Sequence, residues 1–352
     1  MRNFNVLLTC CGMHVKERID SLRENEDGAK VKVFACNCNK ENLPPAGLAD
    51  KTFVVPPITD EKYIGTIIQI CKDYEVDIII PTVTLELNFM AANRKKFEDE
   101  GIRVSISSLS SLEVANNKIH LQTKYNAYMP KQIVIGAKEK QRSKLRLAFN
   151  FLFECERKGV KACCKLPDHC GGNGFAIIDD EKALDFSYFN RFAGDMYITE
   201  QTFIDAMQKS KSDIILQEFV EGKDYSCSVL AVNGRITHIV GYYGYQMSHG
   251  AILRGEIAYN KNAYEIAEKI VSELQLDGNI CFDFKESEDG TLYLLEINPR
   301  VNASLPFVWK AGINMLYLRC KNLLGDYSDI EESFSIQYGL KMRKYHASRY
   351  YL

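Results

Sequence analysis

The residue types best suited to chemistry lie on two segments near the carboxyl-terminal end of the chain, separated by a Glu-Ser-Glu-Asp-Gly turn. That turn predicts a hairpin, so Asp283 and Glu296 are expected on paired strands. Carboxylates are hard oxygen donors that suit Mg²⁺, and Asn298 adds a neutral oxygen two residues after Glu296 on the same strand face. Arg300 can neutralise a phosphoryl group. This combination predicts a site for a metal ion and a nucleotide.

The region that precedes residue 111 alternates β-rich runs with amphipathic segments, a pattern that predicts an open parallel sheet with helices on both faces. Strands are expected at Val6–Thr9, Val31–Ala35, Val76–Ile80 and Arg103–Ile106, and helices near Val15–Glu24, Glu61–Tyr74 and Leu85–Phe97. Ligands of such sheets bind at the carboxyl ends of the strands. The turn after the first strand contains one glycine where a dinucleotide fingerprint has three, which argues against a nicotinamide cofactor.

Glu86 follows the isoleucine-rich strand of this sheet and is therefore placed at its functional edge. An acid in the first turn of a helix also interacts favourably with the helix dipole. The sequence leaves both interpretations of Glu86 open, a substrate contact and a structural acid.

A capped helix start at Ser110-Ser111-Leu112-Glu113 indicates a domain boundary near residue 110. We expect a Rossmann-like domain over residues 1–110, a subdomain with a glycine-rich turn over 111–210, and a subdomain with the metal site over 211–352. Later strands are expected at 132–135, 160–165, Phe175–Ile178, Ile214–Phe219, Tyr225–Val232 and Arg235–Tyr242, and helices at Arg142–Lys158 and near Ala263–Leu274. Asn233-Gly234 predicts a two-residue hairpin between two of these strands.

The charges of the chain nearly balance, with 44 basic and 46 acidic residues among 352 and a net charge of −2. This balance predicts no general attraction to polyanions, so no nucleic-acid partner is expected. No apolar run approaches the ~20 residues of a membrane span, so no membrane association is expected. The 12 cysteines follow no secretory signal, which predicts reduced thiols and a cytoplasmic protein.

Lys165 ends a predicted strand and precedes a glycine-rich turn formed by Gly171, Gly172, Asn173 and Gly174. Such a turn lets backbone N–H groups approach phosphate oxygens, while the lysine ammonium supplies a point charge. Taken alone, the turn is more typical of a plain hairpin.

A short connection between two later strands has the chemistry to hold adenosine. Glu218 and Val220, on either side of Phe219, can bind adenine through backbone hydrogen bonds, and Asp224 can accept hydrogen bonds from ribose hydroxyls. A charged surface turn is the alternative interpretation of this segment.

In this order the segments resemble the ATP-grasp superfamily between Leu112 and Leu324, and the region before them resembles the Rossmann-like domain of that superfamily. The spacing from Lys165 through the glycine turn, together with Glu296–Asn302, is most similar to one synthetase half of the carbamoyl-phosphate synthase large subunit and its stand-alone relatives. The resemblance implies an α/β fold, with a Rossmann-like parallel-sheet domain followed by a two-subdomain ATP-grasp fold of the α+β type.

The resemblance also implies a role for each matching residue. Contacts with ATP are implied for Lys118, Lys165, the phosphate-covering turn Gly171, Gly172, Asn173 and Gly174, and the adenosine segment Glu218, Phe219, Val220 and Asp224. Two Mg²⁺ ions, which Mn²⁺ can replace, are implied at Asp283, Glu296 and Asn298. Arg300 and Lys165 are the residues implied to act on the phosphoryl group during transfer.

Three positions depart from the pattern of the family. Asn117 precedes Lys118 where aspartate is common, and Leu166 follows Lys165 where proline is usual. Thr84 stands where many relatives carry aspartate. The first two lie at ATP contacts, whereas the third lies nearer the expected substrate and leaves its identity open.

The function implied by the resemblance is an ATP- and Mg²⁺-dependent carbon–nitrogen ligase that joins a small carboxylate to an amine and releases ADP. Phosphorylation of the carboxylate creates an acyl phosphate whose leaving group the amine displaces, and Mg²⁺ and fixed cations stabilise the charge that develops. One alternative is a carbamoyl-phosphate-synthase-like half enzyme that phosphorylates bicarbonate or carbamate. Another is a non-catalytic nucleotide-binding regulatory module, against which the joint presence of all four metal-site residues argues.

Four residues are candidates for contacts with the acid or amine substrate, namely Glu86, His249, Arg254 and Asn302. For His249 and Arg254, a position on a surface loop is an equally good interpretation. The sequence identifies neither the acid nor the amine. A homodimer stays open, since no coiled-coil heptads indicate an oligomer.

Overall fold

The computed structural model of the chain describes residues 3–12, 14–167, 174–185, 196–248, 251–331 and 333–345. These residues form three sheets, of five, five and six strands. The first sheet is parallel and the other two are mixed or antiparallel, which confirms the predicted fold class. None of the helices within these ranges combines the length and the apolarity needed to cross a bilayer.

The first sheet has the strand order β3-β2-β1-β4-β5, and all its neighbouring strands run parallel. Its strands are β1 (Phe4–Thr9), β2 (Val31–Asn37), β3 (Lys51–Val54), β4 (Ile78–Pro81) and β5 (Arg103–Val104). The helices of this region are α1 (Val15–Arg23), α2 (Tyr63–Asp73), α3 (Thr84–Ala92), α4 (Arg94–Glu98), α5 (Leu109–Ala115) and α6 (Lys118–Tyr125). The strand order reverses between β1 and β4, and open sheets bind ligands in the crevice at such a switch point.

Two elements of this region differ from the sequence prediction. Strand β3 was missed, because it has four residues and none of them is fully buried. The helix expected over 85–97 is instead divided into α3 and α4 at Asn93, whose side-chain Nδ2 donates to the Phe89 carbonyl at 2.9 Å. Asparagine competes for backbone hydrogen bonds in this way and so favours a helix boundary.

The second sheet has the strand order β6-β10-β7-β8-β9. Its elements are β6 (Gln132–Ile135), α7 (Gln141–Lys158), β7 (Ala162–Lys165), β8 (Phe175–Ile178), α8 (Asp180–Leu184), β9 (Tyr197–Ile198), α9 (Glu200–Lys209) and β10 (Ile214–Glu218). The boundary expected near residue 210 stays a prediction. Strand β10 follows it in the sequence and pairs with β6 and β7 in this second sheet.

The third sheet has the strand order β15-β14-β11-β12-β13-β16 and is antiparallel. Its elements are β11 (Gly222–Val232), β12 (Arg235–Ser248), β13 (Ala251–Ile257), α10 (Lys261–Leu274), β14 (Gly278–Ser287), β15 (Leu292–Asn298), α11 (Leu305–Lys310), α12 (Met315–Leu323) and β16 (Lys341–Arg343). Asn233 and Gly234 join β11 to β12 with φ angles of 48° and 77°. Two consecutive positive φ angles are what a type I′ hairpin requires, so the predicted hairpin is confirmed.

The first and third sheets share one apolar core. Leu8 of β1 and Ile19 of α1 belong to the same buried cluster as Tyr242 of β12 and Val308 of α11. Full burial of a side chain of this size contributes about 1.5–3 kcal/mol. The second sheet has a separate core, made only of residues between 133 and 216. The described chain is therefore built as one body formed by the first and third sheets, with the second sheet attached to it.

Candidate active site

Asp283 and Glu296 lie opposite each other on β14 and β15, where they are register partners. Asp283 accepts hydrogen bonds from Ser226 Oγ at 2.7 Å and from Cys281 Sγ at 3.4 Å. Burial raises the pKa of Asp283 to about 6, and the negative charge of Glu296 adds to the rise. Since two neighbouring carboxylates disfavour each other's charged form, a cation bound between them relieves that cost. Asp283 and Glu296 are called the acid pair below, and their pairing confirms the predicted hairpin.

Asn298 connects the acid pair to Arg300. Its Nδ2 donates to Asp283 Oδ2 at 2.8 Å and to Glu296 Oε1 at 3.0 Å, and its Oδ1 accepts from Arg300 Nη2 at 3.1 Å. The amide nitrogen, rather than the amide oxygen, therefore faces the carboxylates. Coordination of a cation by the oxygen requires rotation of the amide, which turns the nitrogen toward Arg300.

Arg300 also joins the third sheet to the first. Its Nε donates to Thr84 Oγ1 at 3.0 Å and its Nη1 donates to the Val301 carbonyl at 3.1 Å. Thr84 is the first residue of α3 and follows the carboxyl end of β4. This contact holds the guanidinium beside the switch point of the parallel sheet.

Two lysines approach the acid pair from the second sheet and from α6. The Nζ of Lys118, the first residue of α6, lies 3.7 Å from Glu296 Oε2. Burial lowers the pKa of Lys165, the last residue of β7, and the charge of Lys118 adds to the lowering. Cations that face carboxylates across a cleft can hold a polyphosphate together with its metal ions.

The segment that follows β10 carries the residues predicted to bind adenosine. Glu218, Phe219 and Val220 all line the cleft. The carboxylate of Glu218 accepts from Lys158 Nζ at 2.6 Å. Its side chain is thus already engaged, which leaves backbone groups of this segment as the means of recognition.

Further polar groups accompany this segment. Asp224 accepts a hydrogen bond from Lys285 Nζ at 2.9 Å. The Nε2 of Gln217 is buried and has no hydrogen-bond partner within the described residues. A buried donor without a partner is costly, and a ligand that accepts from it removes that cost.

One cavity of about 520 Å³ brings these groups together and is called the cleft below. Its predicted lining residues are Lys118, Lys165, Gly174, Glu218, Phe219, Val220, Asp224, Asp283, Glu296, Asn298, Arg300 and Asn302. We call the part formed by Lys118, Lys165 and residues 217–220 the lysine end. The opposite part, formed by His14, Arg18, Thr82, Thr84, Tyr242 and Ser304, is called the switch-point end.

Other predicted residues lie away from the cleft. Glu86 is fully buried behind its wall, where Oε1 accepts from the Thr82 amide at 2.9 Å and Oε2 accepts from the Tyr63 hydroxyl at 3.1 Å. Burial raises the pKa of Glu86. Arg254 is exposed on β13, where it pairs with Arg343 of β16. His249 and the turn residues Gly171, Gly172 and Asn173 lie outside the described residues.

Several residues of the cleft were not singled out in the sequence. Lys285 had a usable signal, because it lies two residues after Asp283 and therefore on the same face of the strand. Arg18 and His14 had none beyond their position after β1. Tyr242 donates or accepts at 3.0 Å with Ser228 Oγ and accepts from Asn302 Nδ2 at 2.8 Å. That network depends on long-range packing which no local pattern reveals.

The donor set of the acid pair fits a divalent cation of the Mg²⁺ type, which prefers oxygen ligands. Asp283 and Glu296 supply two carboxylates, and burial, with the negative charge of Glu296 adding to it, raises the pKa of Asp283. Within the described ranges no group of three or more histidine, cysteine, aspartate or glutamate side chains is arranged to hold a metal. Further ligands would therefore come from phosphate oxygens and water, as is usual for Mg²⁺.

A parallel-sheet domain followed by two sheets that enclose a cleft with lysines facing carboxylates defines a class of nucleotide-binding α/β proteins. Family models narrow that class. Residues 6–105 match the model described as "PylC-like, N-terminal domain", and residues 210–347 match "ATP-grasp in the biosynthetic pathway with Ter operon". Residues 210–347 thus carry an ATP-grasp domain, which confirms the resemblance seen in the sequence.

Known proteins of this superfamily resemble the chain at low identity. A carbamoyl phosphate synthase large chain of Archaeoglobus fulgidus is 23% identical over 301 residues, which are 82% of this chain and 25% of that protein. The chain thus spans about a quarter of the length of this relative.

Two solved structures share the fold. The N5-carboxyaminoimidazole synthetase from Staphylococcus aureus, complexed with ADP, has a TM-score of 0.65 at 14% identity and covers 95% of this chain and 81% of its own. An L-amino acid ligase from Bacillus licheniformis has a TM-score of 0.63 at 16% identity and covers 94% of this chain and 73% of its own.

Proposed function

We propose that the chain is an ADP-forming ligase that uses ATP and Mg²⁺ to join a small carboxylate to an amine through an acyl phosphate. The observation that carries this proposal is the cleft, in which the acid pair, two lysines and Arg300 line one cavity. The ATP-grasp match supports it, as does the presence of a synthetase complexed with ADP and of an L-amino acid ligase among proteins of the same fold.

The lysine end is proposed to bind the nucleotide. Adenine is held along Glu218, Phe219 and Val220, the ribose lies near Asp224, and Gln217 Nε2 offers a free buried donor within the described residues. Lys118 and Lys165 contact the phosphates. Hydrogen bonds that involve a charged partner contribute about 1.5–3 kcal/mol each. The predicted turn of Gly171, Gly172, Asn173 and Gly174 is proposed to cover the phosphates.

The acid pair and Arg300 are proposed to act on the phosphoryl group. Asp283 and Glu296, with Asn298 after rotation of its amide, would hold one or two Mg²⁺ ions, or Mn²⁺ in their place. The metal supplies charge neutralisation for the phosphates. Arg300 is fixed by the Thr84 hydroxyl and the Val301 carbonyl, so its guanidinium is oriented before the reaction, and such preorganised cations stabilise the transition state effectively.

The chemistry proceeds in two displacements. A carboxylate oxygen of the acid attacks the γ-phosphorus, the bond to the bridging oxygen breaks, and ADP leaves. The amine nitrogen then attacks the acyl carbon, inorganic phosphate leaves, and the nitrogen loses a proton. Each step places negative charge on phosphoryl oxygens, and the cations of the cleft are placed to stabilise that charge.

A carbamoyl-phosphate-synthase-like half reaction is the second candidate, because the curated relatives are large chains of that enzyme. In that case bicarbonate or carbamate replaces the organic acid. A non-catalytic regulatory module is disfavoured by the intact acid pair and Arg300. A cytoplasmic location, a homodimer, and the lack of nucleic-acid and membrane partners stay predictions.

The proposal is tested by measuring ADP release over a panel of acid and amine pairs, with product masses recorded. Ligation requires that ADP release depend on both an acid and an amine, and that a product of their combined mass less water form. Release with bicarbonate alone identifies the half reaction. ATP binding without hydrolysis under every pair contradicts both enzymatic proposals and supports the regulatory module.

A further inference from the structure

Arg18 is a cation buried in the wall of the cleft. It lies on α1, its side chain is 6% exposed, and it lines the switch-point end. A guanidinium carries five N–H donors, and the Nε of Arg18 is fully buried without a hydrogen-bond partner within the described residues. Burying a charge without a partner is strongly unfavourable. An external anion is the missing partner that this geometry calls for.

The acid that lies nearest in sequence does not fill this role. The carboxylate of Glu17 accepts from Lys344 Nζ at 3.1 Å. Burial lowers the pKa of Arg18 to about 10, and the positive charge of Arg300 adds to the lowering. Arg18 therefore remains charged at neutral pH, and a second cation lies in its surroundings.

Arg300 likewise has only neutral partners among the described residues. Its guanidinium contacts the Thr84 hydroxyl, the Asn298 amide oxygen and the Val301 carbonyl. The two arginines differ in position, because Arg300 is connected to the acid pair through Asn298, whereas Arg18 lies on α1 in the first domain. The cleft thus offers two cations for anionic groups, of which one adjoins the metal site.

The rest of the switch-point end is neutral. Burial lowers the pKa of His14, and the charges of Lys344 and Arg18 add to the lowering, so this imidazole is uncharged at neutral pH. Thr82 and Ser304 are hydroxyl residues, and Met247 and Ile252 add apolar surface. Within the described residues this end contains no carboxylate, so an ammonium group on the substrate would have no counter-charge here.

We propose that Arg18 binds a second anionic group of the acid substrate. The substrate is then a dianion with an apolar spacer: the carboxylate to be phosphorylated lies at Arg300, and the other acid group, a carboxylate or a phosphate ester, lies on Arg18. This inference rests on the proposed ligase function and specifies its substrate class. Arg18 forms no covalent bond with the substrate and contributes only to its binding.

Thermal unfolding tests the anion site without any need for turnover. Wild type, Arg18→Met and Arg18→Lys are compared in Mg²⁺ and ADP, alone or with glutarate, butyrate or inorganic phosphate. Lys16→Met is the matched control, because Lys16 is exposed on the same helix and pairs with Asp20. A ligand that binds the native state alone raises the unfolding temperature.

The expected result is that glutarate or phosphate raises the unfolding temperature of wild type and Lys16→Met more than butyrate does, and that Arg18→Met loses this shift. Arg18→Lys should keep part of it. Without an anion, Arg18→Met should be at least as stable as wild type, because it removes an unpaired buried charge. A glutarate response identifies a dicarboxylate, and a response to phosphate alone identifies a phosphate ester.

Two results overturn the inference. One is an anion shift of the same size in wild type and Arg18→Met, or no shift in either. The other is a lower unfolding temperature for Arg18→Met without anions, which would make Arg18 a structural cation.

Turnover separates this inference from the proposed function. Once an acid is found that releases ADP, Arg18→Met should lower kcat/KM for that acid by about 100-fold while leaving KM for ATP unchanged. If the replacement of Arg18 does not change ADP release, the proposed dianionic substrate is refuted, whereas the proposed ligase function still stands. An anion shift that depends on Arg18, without any acid-dependent ADP release, supports the anion site and refutes the ligase.

Discussion

The two ends of the cleft are built in different ways. The lysine end lies between the second and third sheets, which have separate cores. It consists of one lysine at the start of α6, one at the end of β7, and the consecutive segment 217–220. The switch-point end lies where the first and third sheets share one core. Its residues come from α1 and the residue before it, from the segment that leads from β4 into α3, from β12 and from the loop after β15, far apart in the sequence.

This difference explains what each end is suited to do. The consecutive segment 217–220 of the lysine end presents backbone groups in a fixed pattern, which suits a common ligand such as a nucleotide. The shape of a site assembled from distant elements changes when any one of those elements changes, which suits a substrate that differs between related proteins. The contact between Arg300 and Thr84 links the switch-point end to the acid pair through Asn298, and Glu296 of the acid pair in turn faces Lys118 of the lysine end, so transfer chemistry depends on both ends.

Loss of the acid pair should have the largest effect. Glu296→Ala removes one of the two carboxylates and should lower Mg²⁺-dependent kcat by about 1,000-fold, since a bound metal contributes several kcal/mol to the transition state. Steady-state ADP release measures it. The control is Glu288→Ala, an exposed acid on the turn of the same hairpin. Equal activity in the two variants would remove Glu296 from the site.

The lysine end should control nucleotide affinity. Lys165→Ala should weaken ATP binding by about 10- to 100-fold, because it removes a charged partner of the phosphates. Isothermal titration with a non-hydrolysable ATP analogue measures the dissociation constant. Lys223→Ala is the control, because Lys223 is exposed on β11 and its Nζ lies 5.8 Å from the centre of the Tyr243 ring. An unchanged dissociation constant for Lys165→Ala contradicts the assignment.

Loss of the contact between Arg300 and Thr84 of the switch-point end should have a moderate effect. Thr84→Val removes the hydroxyl that accepts from Arg300 Nε, and should lower kcat by about tenfold with little change in KM for ATP. Thr84→Ser keeps the hydroxyl and should restore most of the rate. If Thr84→Ser is as slow as Thr84→Val, the hydrogen bond is not what positions Arg300.

Glu86 should have the smallest effect, on stability rather than rate. Its folded-state pKa is raised by burial, so the stability it contributes at low pH is lost as the pH rises from the unfolded value of about 4.3 through the folded one. Tyr63 and Cys10 contact its Oε2, and both stay protonated over this range because burial raises their pKa values.

Glu86→Gln cannot ionise, so the unfolding free energy of wild type should fall relative to this variant as the pH rises. Urea unfolding at several pH values measures the difference, and the exposed Glu113→Gln provides the control. A constant difference across this range would show that burial does not raise the pKa of Glu86 in the folded state.

Much of the fold and of the lysine end could be predicted from local patterns. Strand and helix periodicity located most of the first sheet, and Asn233-Gly234 fixed one hairpin. Asp283, Glu296 and Asn298 were found because strand alternation places them on one face. The residues predicted to contact ATP were identified from a family resemblance in short motifs that occur in a fixed order.

The switch-point end could not be predicted in the same way. A single arginine on an amphipathic helix is normally exposed, and only the packing of the first sheet against the third buries Arg18. Glu86 was placed at the right edge of the sheet, but its direction, toward the Thr82 amide and away from the cleft, depends on tertiary structure. Strand β16 was missed because its pairing with β13 joins residues about 90 positions apart, a separation that no local pattern reveals.

The most direct test is the affinity of a non-hydrolysable ATP analogue measured with and without Mg²⁺, in wild type and in the double variant Asp283→Asn, Glu296→Gln. We expect Mg²⁺ to tighten binding to wild type and to have no such effect on the double variant, with the Mg²⁺-free affinities of the two proteins similar. An equal Mg²⁺ dependence in both proteins would contradict the placement of the metal-bound triphosphate at the acid pair.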